Sequence, residues 1–72
     1  MVRIIGKGVL KPYCQTLRID EPVLASGMYE LLKLPETYRD NIVAVRDGKV
    51  LQLDENVNDS DEIVLFVSVM GG

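Results

Sequence analysis

The sequence predicts a small α+β domain in which a single helix packs across one face of a β-sheet. A chain of 72 residues is long enough for one domain, and its 47% apolar residues can supply a core. Apolar and polar residues alternate in the N-terminal part of the chain, an apolar run lies near its C-terminal end, and one internal stretch has helical spacing. The predicted order is strand, strand, helix, strand, strand, strand, within one domain spanning residues 1–72. The helix must cover one sheet face, because each element has an apolar surface to bury.

The N-terminal part of the chain predicts two strands joined by a loose connection. Val2 and Ile4 lie on one face of the first strand, VRIIGKGV, and Ile5 lies on the other. QTLRID alternates in the same way and predicts the second strand. Glycine and proline between the two segments favour a loop. We expect the single cysteine, Cys14, to be partly buried in that loop.

The helix is predicted to follow Asp20, Glu21 and Pro22. A carboxylate can cap the free N–H groups of a helix, and proline suits its first turn. Apolar residues then recur at helical spacing, at Leu24, Met28, Leu31 and Leu32. Gly27 is unfavourable inside a helix, and we attribute it to close approach of the helix to the sheet. Pro35 predicts the end of the helix at Leu34.

The C-terminal half predicts a loop or short turn over residues 36–41, a hairpin and a polar loop. Asp47-Gly48 is a strong turn signal between IVAV and VLQL, and Leu51 and Leu53 would share one face of the returning strand. The acidic segment DENVNDSDE predicts a loop anchored from inside by Val57. Its charges form either a solvated surface or a docking surface for a partner.

The last predicted strand spans residues 62–69 and is apolar at nearly every position, which is typical of a central strand. One alternating set contains Ile63, Leu65, Val67 and Val69; the other contains Val64, Phe66, Ser68 and Met70. Ser68 indicates that the second set faces outward. We therefore expect an open sheet face formed by Ile5, Ala44, Val64 and Phe66. Contiguous apolar residues there would indicate a partner interface, and the alternative is that they are scattered surface residues.

Composition argues against several classes of function. The chain has no histidine and one cysteine, so the usual general base, an internal disulfide and a cysteine metal cluster are excluded. A net charge of −3 with scattered basic residues does not favour nucleic-acid binding. The sequence contains neither a membrane-spanning apolar run nor a signal-peptide pattern, which predicts a cytoplasmic protein. We expect no bound metal or cofactor and no enzymatic activity of the chain alone.

Gly71 and Gly72 directly follow the last predicted strand. Glycine has no side chain and adopts conformations closed to other residues, so residues 70–72 are predicted to form a flexible tail. A carboxylate on such a tail is a chemical handle that can enter a narrow active site. The alternative is a frayed or truncated end.

The chain resembles the β-grasp, or ubiquitin-like, fold and most closely the small sulfur-carrier proteins. These include the small subunit of molybdopterin synthase and the sulfur carrier of thiamine biosynthesis. The resemblance is carried by the turn from Asp59 to Ile63, the strand VLFVSVM, the terminal Gly71-Gly72, the hairpin VAVRDGKV and the helix end LLKLPE. Ser60 and Met70 depart from the family pattern, which usually has glycine in the turn and a small residue before the diglycine.

The resemblance implies a mixed sheet and a function based on the terminal carboxylate. A ubiquitin-activating-type adenylyltransferase would use ATP to activate Gly72, which then becomes a thiocarboxylate. A synthase resembling the molybdopterin synthase large subunit or thiazole synthase would accept the sulfur. The implied site contains Gly72, Gly71, Phe66, Val64, Ile5, Ala44 and Met70, on a chain that is monomeric by itself. Molybdopterin synthesis is favoured over thiamine synthesis. A ubiquitin-like modifier joined to lysine through Gly72 and a non-catalytic β-grasp interaction module remain open.

Overall fold

The structure, a computed structural model, describes residues 1–34 and 36–68. It is an α+β fold with a mixed five-stranded sheet and one principal helix. The strands are β1 (Val2–Gly6), β2 (Gln15–Leu17), β3 (Val23–Leu24), β4 (Ile42–Arg46), β5 (Lys49–Val50), β6 (Asn56–Val57) and β7 (Glu62–Val67), and the helices are α1 (Ala25–Leu32) and α2 (Glu36–Arg39). The elements β3, α2 and β6 are additions to the predicted order. None of the helices described is long and apolar enough to cross a membrane.

The first and last strands lie side by side at the centre of the sheet. The strand order is β2-β1-β7-β4-β5, and β3 and β6 form a separate two-stranded pair. β1 and β7 are parallel, whereas β2, β4 and β5 are each antiparallel to their neighbours. β7 therefore has a hydrogen-bonded strand on both sides, as the sequence predicted.

The core lies between the sheet and α1. Its members are Val2, Ile4, Leu10, Ala25, Met28, Leu32, Leu34, Ala44, Leu51, Val57, Ile63 and Leu65. In β7, Ile63 and Leu65 are fully buried and Phe66 is exposed, so the two predicted sets of that strand are confirmed within its described length. Burying this many aliphatic side chains, at roughly 1.5–3 kcal/mol each, is the main stabilising contribution.

The predicted start of the helix is wrong. Asp20, Glu21 and Pro22 precede β3, and α1 begins only at Ala25. The backbone N–H of Ala25 donates to the Glu55 carbonyl at 2.9 Å, and that of Ser26 donates to the Leu53 carbonyl at 3.2 Å. Two free N–H groups at the start of the helix are thus satisfied by a distant loop rather than by a nearby carboxylate.

The later start rotates the apolar face of the helix relative to the prediction. Ala25, Met28 and Leu32 are buried, whereas Leu24 and Leu31 are about half exposed. The helix ends at Leu32, before the predicted end at Leu34, because Lys33 adopts a left-handed conformation with φ of 53°. Residues 36–39, expected in a loop or turn, form the short helix α2.

The hairpin turn is confirmed, but the returning strand is shorter than predicted. Asp47 and Gly48 both have positive φ, of 54° and 79°, as a two-residue type I′ turn requires. β5 contains only two residues and pairs with Val45 and Arg46. Leu51 is buried and Leu53 is exposed, so the expectation that they share one face is wrong.

Arg46 fixes the acidic segment that follows this hairpin. Its guanidinium donates to the Asn56 carbonyl at 2.6 Å and to the Asp61 carboxylate at 2.8 Å, and it lies 3.8 Å from the Glu55 carboxylate. Val57 anchors the segment from inside, as predicted, and is fully buried. Arg46 therefore partners two of the acidic side chains, Glu55 and Asp61, so the segment is not a purely solvated surface.

Gly6 and Gly27 have opposite environments. A Cβ atom at Gly6 would overlap the carbonyl group of Leu10, which lies in the 3₁₀ helix of residues 8–13. A Cβ atom at Gly27 would meet nothing within 4 Å. The expectation that Gly27 allows close approach of helix and sheet is therefore wrong, and Gly6 is the glycine that a close contact requires.

Alanine substitutions at these two glycines test the packing. Gly27→Ala is expected to raise the free energy of unfolding by about 0.5–1 kcal/mol, since alanine loses less conformational entropy in a helix. Gly6→Ala is expected to lower it by about 1–3 kcal/mol, because the 3₁₀ helix must move. Urea unfolding measures both. Equal effects of the two substitutions would contradict the described packing.

Candidate functional site

The face of the sheet opposite α1, here called the open face, carries an apolar row across four strands. Ile5 in β1 is the register partner of Val64 in β7, Val64 is the partner of Val45 in β4, and Val45 is the partner of Val50 in β5. Each residue alternates with neighbours that face the core, so the four side chains lie on the same side of the sheet. Cross-strand neighbours of this kind are in mutual contact range.

Phe66 extends the apolar row towards the C-terminal end of β7. It is the register partner of Val43, and its side chain is 37% exposed. A shallow cavity beside it is lined by Lys7, Val9 and Phe66 among others, and Val9 is itself 56% exposed. The open face therefore presents a contiguous apolar area of the kind that marks interfaces on small proteins.

Charged groups border the apolar row on its opposite side. Arg3 in β1 is the register partner of Glu62 in β7, and their charged atoms are 3.8 Å apart. Both side chains are more than half exposed, so the pair contributes little to stability. An exposed ion pair beside an apolar centre gives the open face the polar rim typical of interfaces.

The predicted partner-binding residues divide into three groups. Ile5, Val64 and Phe66 lie together on the open face, where the register and alternation place them. Ala44 is 1% exposed and pairs with Leu65 on the core side, so its assignment to the open face is wrong. Met70, Gly71 and Gly72 lie outside the described residues.

The error at Ala44 has a simple cause. The segment IVAV is apolar at every position, so it contains no polar residue that distinguishes its two faces. The missed residues are Val43, Val45 and Val50. The two-residue turn at Asp47-Gly48 pairs Val45 with Val50 and could have placed those two on a common face.

The base of the predicted tail is fixed by the neighbouring strand. The N–H of Ser68 donates to the Asn41 carbonyl at 2.7 Å, which continues the ladder between β7 and β4 beyond the end of β7. On the other side of β7, the hydrogen bonds with the parallel strand β1 continue to Lys7, whose N–H donates to the Leu65 carbonyl at 2.9 Å. The residues that follow Ser68 are therefore attached to the most constrained strand of the sheet.

Cys14 supports β1 through its sulfur. Cys14 is exposed, so the expectation that it is partly buried is wrong. Its Sγ accepts a hydrogen bond from the Gly6 N–H at 3.2 Å. It also lies 3.5 Å from the Gly6 carbonyl oxygen, to which the thiol can donate. These bonds tie the connection between β1 and β2 to the end of β1.

Within residues 1–34 and 36–68, no cluster of three or more potential metal ligands was found. Burial raises the pKa of Tyr29 above its ordinary value. Tyr29 lies on α1, on the side of the sheet away from the open face.

The sequence matches no model of a known protein family, and a search of curated proteins finds no match.

Aspartate substitutions distinguish the two sheet faces. Phe66→Asp is expected to lower the free energy of unfolding by about 1–2 kcal/mol, because the partly buried ring is lost while the new charge stays hydrated. Ala44→Asp is expected to lower it by at least about 3 kcal/mol, because the charge would be buried without a partner. Circular dichroism during thermal unfolding measures both. Collapse of the Phe66 variant, or tolerance of the Ala44 variant, would reverse the face assignment.

Proposed function

We propose that the chain is a β-grasp sulfur carrier that acts through a C-terminal carboxylate on Gly72. In this proposal an adenylyltransferase of the ubiquitin-activating type activates the carboxylate with ATP. The activated group becomes a thiocarboxylate, and a synthase accepts its sulfur during cofactor biosynthesis. Molybdopterin synthesis is the favoured pathway and thiamine synthesis the next.

One observation carries the proposal: Gly71-Gly72 follows closely after the central strand of the sheet. Four residues separate Ser68 from the end of the sequence, and the last two have no side chain. Four extended residues span at most roughly 14 Å. A narrow tail of that length, attached to a strand bonded on both sides, can enter a partner's active site while the domain remains folded outside it.

The chemistry explains why activation is needed. A carboxylate is a poor electrophile, so its oxygen first attacks the α-phosphorus of ATP and pyrophosphate leaves. A sulfide equivalent then attacks the carbonyl carbon of the acyl adenylate, and AMP leaves with the broken C–O bond. The chain supplies the reacting carboxylate, and the partner enzymes supply catalysis. The chain itself is therefore proposed to be a carrier that binds no cofactor.

The open face is the proposed docking surface for these partners. Ile5, Val64 and Phe66 from the predicted set, together with Val45 and Val50, give it an apolar centre. Of these residues, Phe66 lies nearest to the C-terminal end of β7. A partner that covers Phe66 therefore also lies close to the base of the tail. Docking of the folded domain would hold Gly72 near the nucleotide and lower the entropic cost of the reaction.

A protein modifier is the main competing function, because its activation step is the same. In that case the acyl group of Gly72 would form an isopeptide bond with a lysine of a target. A non-catalytic β-grasp module is the third possibility, and it requires no chemistry at Gly72. The three functions differ in the covalent state of the chain in its own cell.

Intact mass spectrometry of the protein isolated from its native cell tests the proposal. We expect a fraction of the chain to end at Gly72 and to carry an added mass of about 16 Da, from replacement of one oxygen by sulfur. A variant lacking Gly71 and Gly72 is expected to lack this species and to fail to complement a deletion strain. Lysine-linked adducts would favour the modifier. Complementation by the truncated variant would contradict both reactions of the carboxylate.

A further inference from the structure

A groove on the edge of the sheet adjoins the open face at Val43 and Val50. It consists of two adjoining cavities of about 200 and 370 Å³, which share Tyr29 of α1, Ile42 of β4 and Leu53 of the following loop. We call it the edge groove. Its combined volume lies within the range of ligand pockets in proteins. Leu53 is 59% exposed and contributes an apolar side chain to the wall of the groove.

The edge groove exists because β5 is too short to cover β4. The β4–β5 ladder includes only Val45 and Arg46 of β4, and one further bond joins the Leu51 N–H to the Ala44 carbonyl at 2.8 Å. The chain then leaves the sheet to cap α1 through the Leu53 carbonyl. Among the described residues, no strand lies beside Ile42 on this side.

The backbone of Ile42 faces this uncovered edge. The Asn41 carbonyl accepts a bond from Ser68 of the β7 side, whereas the Ala44 carbonyl accepts one from Leu51 on the β5 side. Backbone groups of successive residues in a strand point to opposite edges, so Ile42 points the same way as Ala44. Its N–H and C=O are thus placed to continue the ladder with an added strand.

The charges around the edge groove have one sign. Glu30 lies at the α1 end and Asp40 at the β4 end, and the lining residues include no lysine or arginine. The Tyr29 hydroxyl is protonated at neutral pH and can donate a hydrogen bond, since the ordinary pKa of tyrosine is about 10 and burial raises the pKa of Tyr29 further. An apolar wall with acidic ends is complementary to an extended segment that has aliphatic residues and basic flanks.

We propose that the edge groove binds an extended peptide segment of a partner protein, which adds a strand beside Ile42. An aliphatic side chain of the segment lies between Tyr29 and Leu53, and its basic residues lie beside Glu30 and Asp40. Backbone bonds to the edge give affinity, and the apolar wall and acidic ends give selectivity. This interaction uses no residue of the tail, and the groove borders the apolar row only at Val50. It therefore does not depend on sulfur carriage.

The test is a nuclear magnetic resonance titration of the full chain with a synthetic heptapeptide. The probe alternates valine with threonine and has a lysine at each end. Saturable shifts are expected at the amides of Ile42 and Leu53, together with slower hydrogen exchange of the Ile42 amide. A peptide with glutamate at each end is expected to bind about tenfold more weakly. Leu53→Ser is expected to weaken binding about fivefold, as loss of an apolar anchor does.

Leu31→Ser is the matched control, because Leu31 is also an exposed leucine but does not line the edge groove. It is expected to leave the affinity unchanged, and so is deletion of Gly71 and Gly72. Absence of saturable shifts up to about 1 mM peptide would overturn the proposal. Shifts centred on Val64 and Phe66, or equal affinity of the lysine and glutamate peptides, would also overturn it.

Discussion

Parallel pairing of β1 with β7 is the constraint on which the rest of the structure depends. It places the first strand of the chain beside the last one and leaves β7 bonded to β1 on one side and to β4 on the other. The core side chains of β1 and β7 then form adjacent rows beneath α1. Side chains alternate between the two faces of a strand, so a shift of β7 by one residue would turn Ile63 and Leu65 out of the core. Pairing on both sides of β7 opposes such a shift.

The same pairing determines what the second sheet face can do. α1 covers one face, and the described residues place no helix over the other. The open face carries aliphatic residues on four neighbouring strands, with Phe66 at the end from which the tail continues. In the proposed function, this apolar surface and the glycine tail act together, since one holds the partner and the other presents the carboxylate.

The edge groove has a different structural origin. It results from the early departure of the chain after β5, and that departure is explained by the contacts of residues 53 and 55 with the start of α1. Arg46 holds the same segment through Asn56 and Asp61. A loop that caps the helix therefore cannot also complete the sheet edge, and an uncovered part of β4 remains.

Local patterns in the sequence predicted the parts of the fold that local forces determine. The faces of β7 were predictable because Ser68 marks one set as outward, and the turn at Asp47-Gly48 because both residues tolerate positive φ. The start of α1 was not predictable, since distant carbonyl groups replace the local carboxylate cap.

Tertiary contacts decided the remaining positions. Ala44 was misplaced because its strand is apolar throughout and its face depends on pairing with Leu65. The sequence around Gly6 contains no pattern that predicts its close contact with the Leu10 carbonyl. The edge groove depends on where β5 ends, and VLQL contains no residue that stops a strand after Val50. Of the candidate site, the sequence thus predicted Ile5, Val64 and Phe66 but not the valines beside them.

The central claim is that the main-chain carboxylate of Gly72 is the reacting group. Isotope exchange between pyrophosphate and ATP tests it most directly, with the chain added to the ubiquitin-activating-type adenylyltransferases of its own cell. The account predicts exchange that depends on the chain and disappears when Gly71 and Gly72 are deleted. Exchange that is undetectable with every such enzyme, or that is equally fast with the truncated chain, would contradict it.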